Sequence, residues 1–263
     1  MLKNWRVVSA SVCGSSHLRL DRPCQDRHFW AMPSKGVLVA AVADGAGSAP
    51  LSEFGAEIAA HTAVKVVAEA IAPLPKADEE AAWKDLLIEA LRTARYAVEA
   101  EAEIRGVPPS DLATTLILLV TTPDVTAVAQ IGDGAAIFED EGGALHALTT
   151  PQNGEYANET TFLVSPNALE KVQTTVQPIC AHRLALFSDG LQRIALRLAD
   201  GTPFPQFFAP LFRFVEECEE LPKADEQLAE FLGSPRVSER TDDDVTLLLA
   251  CNVPSKTVTL TKR

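Results

Sequence analysis

Apolar residues along the chain follow two periods, one typical of strands and one typical of helices. Short runs rich in Val, Leu and Ala predict strands at residues 5–12, 37–43, 113–121, 126–131, 135–140, 144–150, 183–188 and 245–253. The run at 37–43 contains no polar position, so we expect burial on both of its faces. Glycine and proline signals separate the four strands between residues 113 and 150, which we interpret as an antiparallel meander.

Helical spacing takes over in two parts of the chain. A first helix is predicted from Ser52, a candidate N-cap, to about residue 70, and a second from Asp78 to near Gly106. Further helices are predicted after Asp189, where a short one follows the strand, and at 204–232, where "LPKAD" separates two. Strands at both ends with helices between them indicate an α+β fold, with packed antiparallel sheets and helices outside.

The chain has no repeat, low-complexity tract or linker, so we predict a single domain over residues 1–263, with 254–263 as an edge strand or tail. The chain has 23 Lys and Arg and 36 Asp and Glu residues, so its formal net charge is 23 − 36 = −13. This negative charge argues against nucleic-acid and membrane partners and is compatible with binding of divalent cations. The five scattered cysteines and the lack of a signal or membrane-spanning stretch indicate a soluble, cytoplasmic protein.

Several acids stand at the ends of predicted strands. Asp44 and Asp189 each follow an apolar strand and precede a glycine, and Asp133 precedes Gly134 in "VAQIGDG". One Asp-Gly pair is usually a turn, and an acidic run such as "TDDD" before the last strand is usually solvated. Together, however, acids held at rigid strand ends would repel one another without cations, and oxygen ligands beside glycine suit Mg²⁺ or Mn²⁺.

Residues 14–250 contain, in order, the motifs "GSSHLRLDRPCQDRHF", "VADGAGSAPLSEFGAEIA", "ATTLILLV", "AVAQIGDGAAIF", "LALFSDGL" and "DDDVTLLLA". In this order they resemble the metal-dependent serine/threonine protein phosphatases of type 2C, the PPM family. The segments "CQD" and "GEYANET" are similar to those of a divergent bacterial branch of this family. The resemblance implies a four-layer α-β-β-α sandwich in which a metal-bound hydroxide attacks phosphoserine or phosphothreonine directly.

The resemblance also implies a metal site with two ions and a weaker third, either Mn²⁺ or Mg²⁺. Its residues, by motif position, are Asp44, Gly45, Asp189, Asp243, Asp133 and Asp26. Asp44 would bridge two ions and Gly45 would offer its carbonyl. Asp189 and Asp243 would complete the shell of the first ion, and Asp133 would join Asp189 at the third. Gln25 replaces a common glutamate, which leaves Asp26 as an outer-shell candidate.

Two positions depart from the family pattern. Ala46 stands where many members carry a histidine, and Asp21 stands where an arginine commonly holds the phosphate. We therefore assign phosphate binding to Arg19 or Arg22 and name His17 as the candidate proton donor, although a lone loop histidine is more often only hydrogen-bonded.

Three other functions remain open at this stage. A pseudophosphatase scaffold would bind phosphoproteins or a kinase without turnover, as Ala46 suggests, and a magnesium-dependent nuclease is disfavoured by charge. Cys13 and Arg19 form a literal Cys-x5-Arg, the spacing of cysteine-dependent phosphatases, but no helical pattern follows the cysteine. As partners we expect a phosphoprotein substrate, such as a bacterial Ser/Thr kinase or its targets. Residues 150–164 are either a substrate-contacting flap or a plain loop.

Overall fold

The computed structural model describes residues 3–70, 74–140, 142–152, 160–197 and 199–254. The strands in these ranges are β1 Lys3–Val12, β2 Arg27–Ala31, β3 Leu38–Ala43, β4 Leu116–Thr121, β5 Thr126–Ile131, β6 Ala135–Glu139, β7 Leu145–Ala147, β8 Gln173–Gln177, β9 Arg183–Phe187, β10 Leu196–Arg197, β11 Thr202–Pro203 and β12 Val245–Pro254. The helices are α1 Ser15–Arg19, α2 Ser52–Glu69, α3 Glu80–Arg105, α4 Gln192–Ala195, α5 Pro205–Glu217, α6 Leu221–Leu232 and α7 Pro235–Ser238.

Two five-stranded antiparallel sheets pack face to face. The first has the order β1-β12-β9-β6-β7 and the second β2-β3-β4-β5-β8. Apolar side chains from both sheets meet in the layer between them, among them Val42 and Leu119 from the second sheet and Leu186 and Leu248 from the first. This inter-sheet core is the rigid support on which the loops at the ends of the strands are held.

Helices cover the outer face of each sheet. The long helices α2 and α3 pack on the second sheet through residues such as Ala59, Leu87 and Leu91. On the first sheet, α5 and α6 contribute Phe208 and Leu228 to a separate outer core. The four layers are therefore helix, sheet, sheet and helix, which confirms the predicted α+β sandwich.

Strand β3 shows why its sequence has no polar position. Val39 and Ala41 face the helices, whereas Ala40 and Val42 face the other sheet, and all four are buried. The prediction of burial on both faces is thus confirmed. At the margin of the other sheet, β1 pairs with β12 over ten residues, from Lys3 with Pro254 to Val12 with Val245. This pairing joins the two ends of the described chain in one sheet; the single domain over residues 1–263 stays a prediction.

The predicted four-stranded meander is wrong. The hairpins β4–β5 and β6–β7 form, but they lie in different sheets, and Gly132–Gly134 carries the chain from one sheet to the other. A Cβ on Gly132 would lie 2.5 Å from the Thr115 side chain, and one on Gly134 would lie 2.7 Å from the Phe187 carbonyl oxygen. The crossing is therefore tight enough to require glycine on both sides of Asp133.

The helix boundaries differ from prediction in several places. Helix α2 includes Ser52 as its first residue, with Leu51 at the N-cap and no side-chain cap, and α3 begins at Glu80 rather than Asp78. "LPKAD" begins α6 instead of interrupting the two helices, which are separated at 218–220. The short helix predicted after Asp189 is a 3₁₀ turn that begins at Asp189, followed by the four-residue α4. Of the tail predicted for 254–263, only Pro254 is among the described residues, as the last residue of β12.

In the part of the chain that the structure describes, no helix has both the length and the apolar character needed to span a membrane.

Candidate metal centre

Three aspartates meet at one end of the sandwich. Asp44 directly follows β3, Asp133 lies in the crossing between β5 and β6, and Asp189 follows β9 after one residue. One carboxylate oxygen from each lies within 4.8 Å of the other two. Strand register explains the meeting, because antiparallel pairing places the ends of β3 and β5 at the same edge of one sheet and β9 ends against them in the other. The structure thus brings together three of the acids singled out in the sequence.

The Asp44 corner is held by two threonines that directly precede β4. The Asp44 amide donates to Thr115 Oγ1 at 3.0 Å, and its carbonyl accepts from the Thr115 amide at 2.8 Å and from Thr114 Oγ1 at 3.0 Å. The next residue, Gly45, has room for no side chain, since a Cβ there would lie 2.8 Å from the Gln25 carbonyl oxygen and from Ser52. These hydrogen bonds and the close packing at Gly45 therefore fix the backbone that orients the Asp44 carboxylate.

A fourth carboxylate, that of Asp26, lies fully buried beside this group. Ser188 donates its hydroxyl to Asp26 Oδ2 at 2.6 Å, and the Ser188 hydroxyl in turn accepts from the Thr246 amide. Asp26 Oδ1 has no hydrogen-bond partner among the described residues, and the same is true of the buried Asp189 Oδ1. Buried polar atoms are normally satisfied, so two orphaned carboxylate oxygens mark a place suited to a cation.

Burial and mutual repulsion perturb these acids strongly. The pKa of Asp44 is raised well above its usual range by burial first and then by the charges of Asp26 and Asp189. Burial raises the pKa of Asp26 to about 7, and burial together with the charge of Asp133 raises that of Asp189 to about 6. No lysine or arginine of the described chain forms an ion pair with any of the four. Their negative charge is thus uncompensated by the protein itself.

The acidic run before β12 divides between solvent and interior. Asp243 is exposed; its charge contributes to the raised pKa of Asp189, but its carboxylate is outside the close group of three. Asp244 is instead buried and accepts hydrogen bonds from the Gly14 amide at 2.7 Å, the Gln25 amide at 2.5 Å and His17 Nδ1 at 2.9 Å. Sequence reasoning did not assign Asp244, because three consecutive aspartates give no signal of which one turns inward.

Of the candidate catalytic residues, His17 and Arg22 lie beside the loop that follows Asp44. The His17 ring is buried, with Nδ1 held by Asp244, and a Cβ on Gly47 would lie 3.7 Å from Nε2. Arg22 is exposed and donates from Nη1 to the Gly47 carbonyl oxygen at 2.8 Å. Arg19 turns away to an exposed pair with Asp242, at 3.6 Å. The structure therefore separates the two arginines that the sequence left as alternatives.

The Cys-x5-Arg arrangement lacks the features that cysteine chemistry needs. A short helix, α1, does follow Cys13, so the expectation that no helix follows was wrong. However, burial and then the charge of Asp244 raise the pKa of Cys13 to about 11, which disfavours the thiolate. The Gly14 amide is committed to Asp244, and Arg19 to Asp242. Neither group faces a phosphate position next to the sulfur.

The segment predicted as a flap or loop, 150–164, is described only at its two ends, because residues 153–159 lie outside the described ranges. At its far end Thr160 donates its hydroxyl to Asp133 Oδ2 at 2.6 Å. Phe162 and Val164 then pack against Ala46 and Ala49, the small residues of the Asp44 loop. The end of this segment therefore contacts the candidate metal centre directly.

Comparison with known proteins identifies a family model and a relative that match this chain. The family model for protein phosphatase 2C matches residues 13–233. Serine/threonine-protein phosphatase 3 of Escherichia coli (strain K12) is 38% identical over 254 residues, which covers 94% of this chain and 98% of that protein.

Solved structures show the same fold at low identity. PppA, described as a key regulatory component of T6SS in Pseudomonas aeruginosa, superposes with a TM-score of 0.62 at 20% identity, covering 95% of this chain and 99% of that one. The catalytic domain of the phosphatase PstP, solved with two manganese ions, gives 0.58 at 19% identity, covering 97% and 100%. The family match, the relative and the shared fold together show that this chain belongs to the protein phosphatase 2C family.

Proposed function

We propose that the protein hydrolyses phosphoserine and phosphothreonine in proteins, with Mg²⁺ or Mn²⁺ held at the aspartate cluster. The observation that carries this is the meeting of Asp44, Asp133 and Asp189 within 4.8 Å, with no basic partner among the described residues. Family membership and the relative named as a serine/threonine-protein phosphatase support the reaction class.

The donor set fits a hard divalent cation. The cluster offers carboxylate oxygens and no histidine or cysteine, and oxygen-only sets favour Mg²⁺ and Mn²⁺ over Zn²⁺. Asp44, Asp133 and Asp189 would hold the ions. Asp243 would approach from the solvent-exposed side, and the buried Asp26 would act from the interior as an outer-shell carboxylate. When bound, such ions neutralise phosphate charge and acidify water for in-line attack.

The residues around the cluster have separate tasks in this proposal. The Thr114–Thr115 hydrogen bonds keep the Asp44 carboxylate in place as ions and substrate exchange. Arg22, exposed at the mouth of the site, is the candidate for binding the phosphate oxygens. Asp244 fixes the His17 ring through Nδ1 and leaves Nε2 facing the Gly47 loop, where it can donate a proton to the departing seryl or threonyl oxygen.

A pseudophosphatase scaffold is the second candidate, and Ala46 is the observation that favours it. Ala46 is buried at the position where a proton donor is common in the family, so the proposal has to assign that task to His17. The two candidates differ in turnover and agree in metal binding. We further propose a cytoplasmic location and, as substrates, the targets of a bacterial Ser/Thr kinase or the kinase itself; no disulfide joins the five cysteines, all of which are described.

The test is phosphate release by the full chain from a phosphothreonine peptide and from p-nitrophenyl phosphate, with Mn²⁺, Mg²⁺ or EDTA. We expect EDTA and Asp189→Asn to abolish both activities. His17→Gln should slow the peptide reaction by about 10²-fold and the p-nitrophenyl reaction much less, because that leaving group needs no proton. His61→Gln, on the exposed face of α2, is the matched control. Tight Mn²⁺ binding with no turnover under any condition would instead establish the scaffold.

A further inference from the structure

A groove lined by apolar and basic side chains lies among the helices that follow Asp189 in the chain. It has a volume of about 760 Å³ and is formed by α4, the β10–β11 hairpin and the facing parts of α5, α6 and α7. Phe207, Phe231 and Val237 line its floor. This volume lies in the range of natural ligand sites, which combine apolar walls with a few charged groups.

Four arginines surround this groove in a chain whose net charge is −13. They are Arg193, Arg197, Arg236 and Arg240, and Glu239 is the one acid among the lining residues. Arg197 forms an exposed pair with Asp200 at 3.5 Å. The side chains of the other three make no hydrogen bond or ion pair with any described residue, although the chain contains 36 acids. Three guanidinium groups are therefore left available to an anionic ligand within the described part of the chain.

Aromatic surface accompanies this charge. Phe204, at the edge of the groove, is 45% exposed and is one of the few large apolar side chains open to solvent in the described chain. Phe207 and Phe231 lie with ring centroids 6.4 Å apart below it. The combination suits a ligand that carries both carboxylates and apolar side chains, since guanidinium groups bind carboxylates in pairs of hydrogen bonds while the rings bury apolar groups.

The groove is connected to the metal centre at two points of the chain. Helix α4, which carries Arg193, begins directly after the 3₁₀ turn of Asp189, and Arg240 precedes Asp243 by three residues. The reach of an extended chain limits the Cα separation to about 11 Å for Arg240 and Asp243 and about 14 Å for Arg193 and Asp189. An extended peptide advances about 3.3 Å per residue, so Arg193 lies within about five residues of a side chain held at Asp189, and Arg240 lies within about four residues of one held at Asp243.

We propose that this groove binds the acidic, apolar-containing segment that flanks the phosphorylated residue of the substrate protein. The proposal rests on the phosphatase function above and adds the substrate class: phosphoproteins with Asp or Glu and a Leu or Phe within about five residues of the phosphoserine or phosphothreonine. The aspartate cluster binds the ions and the phosphoryl group, whereas the arginine groove selects the neighbouring sequence.

The experiment compares two phosphothreonine peptides, one with Glu and Leu beside the phosphothreonine and one with Gln in place of each Glu. Both are assayed with the wild type, with Arg236→Gln/Arg240→Gln and with Arg213→Gln. Arg213 is an exposed α5 arginine outside the groove, so its variant controls for loss of charge alone. p-Nitrophenyl phosphate, which has no flanking sequence, reports the metal centre by itself. Fluorescence polarisation of a labelled, unphosphorylated Glu/Leu peptide measures groove binding without turnover.

We expect the double variant to raise KM for the Glu peptide by about 5- to 10-fold, with kcat and p-nitrophenyl phosphate hydrolysis unchanged, because each lost Arg–carboxylate pair costs a few-fold in binding. Arg213→Gln should leave every parameter unchanged. Arg236→Glu/Arg240→Glu should reverse the preference toward a peptide with Lys at the Glu positions, which a merely unfolded variant would not do.

Equal KM values for the two peptides with the wild type would overturn the proposal, as would loss of p-nitrophenyl phosphate hydrolysis in the double variant, which would place these arginines in the catalytic centre. Binding to phosphatidylglycerol vesicles that the double variant loses, without any peptide effect, would assign the groove to a membrane surface instead. If the wild type hydrolyses no substrate, the phosphatase function fails, and the polarisation measurement still decides whether the groove binds the acidic peptide.

Discussion

Replacing the carboxylate of Asp44 by an amide should stabilise the metal-free protein while it abolishes metal binding. Asn preserves the size and planar shape of the side chain but removes one charge from a group of acids within 4.8 Å of one another. The pKa of Asp44 is raised by burial and by the charges of Asp26 and Asp189, which means that the charged form is disfavoured in the folded state. Asp44→Asn removes that cost.

The size of the effect follows from the same distance. Two full charges 4.8 Å apart at an effective dielectric constant of about 20 repel by about 3 kcal/mol. Partial protonation lowers this figure, so we expect a gain of about 1–3 kcal/mol in the free energy of unfolding. For a chain of this size that corresponds to a rise in Tm of about 2–10 °C.

Differential scanning fluorimetry with EDTA and with a Mn²⁺ titration measures both halves of this prediction. The wild type should gain about 2.7 kcal/mol when Mn²⁺ reaches about 100 times its Kd, whereas Asp44→Asn should show little gain. Its phosphatase activity should fall to background. A variant that melts below the wild type in EDTA and is still stabilised by Mn²⁺ would refute both the repulsion and the role of Asp44.

Three further outcomes test other parts of the structure. The folded-state pKa values of Asp26 and Asp189, about 7 and about 6, are raised above 3.8, so stability present at low pH is lost as pH rises. The Tm of the metal-free protein should therefore fall between about pH 4 and pH 7, the interval between the unfolded and folded pKa values, and should depend less on pH with Mn²⁺; a rise over that range would contradict it. Gly190→Ala, whose Cβ would lie 2.2 Å from the Asp244 carbonyl oxygen, should lower Mn²⁺-dependent activity by at least about 10-fold. Gly233→Ala, with a 3.4 Å contact, is its control and should retain activity. Cys13→Ser should keep activity within about twofold, because a thiol with a pKa of about 11 is not the nucleophile; an inactive, folded Ser variant would revive the cysteine mechanism.

Much of the candidate site could be read from local pattern. Asp44 and Asp189 could be recognised because each follows an apolar strand and precedes a glycine. A charged residue directly after a strand that is buried on both faces lies at the edge of the core. The buried face of α3, with Trp83 and Leu87, was equally readable, since helical spacing is a property of adjacent turns. The family resemblance then supplied the order of the motifs.

Pairing between distant segments was not readable. The predicted meander failed at Gly132–Gly134 because the sequence does not record which strand will pair with β6, and pairing with β9 rather than β5 carries the chain across the sandwich. The inward turn of Asp244 depends on the amides of Gly14 and Gln25, more than 200 residues away in the chain.

The sequence by itself therefore determined the strand and helix content, the family and the identity of the strand-end acids, because these depend on residues that are close in the chain. Tertiary structure alone decided that three acids share one ion-sized space, that Asp244 rather than Asp243 turns inward, and that four arginines surround one apolar groove. Each of these is a meeting of side chains from separate elements, and its energy comes from burial and charge at distances that exist only after the two sheets have packed.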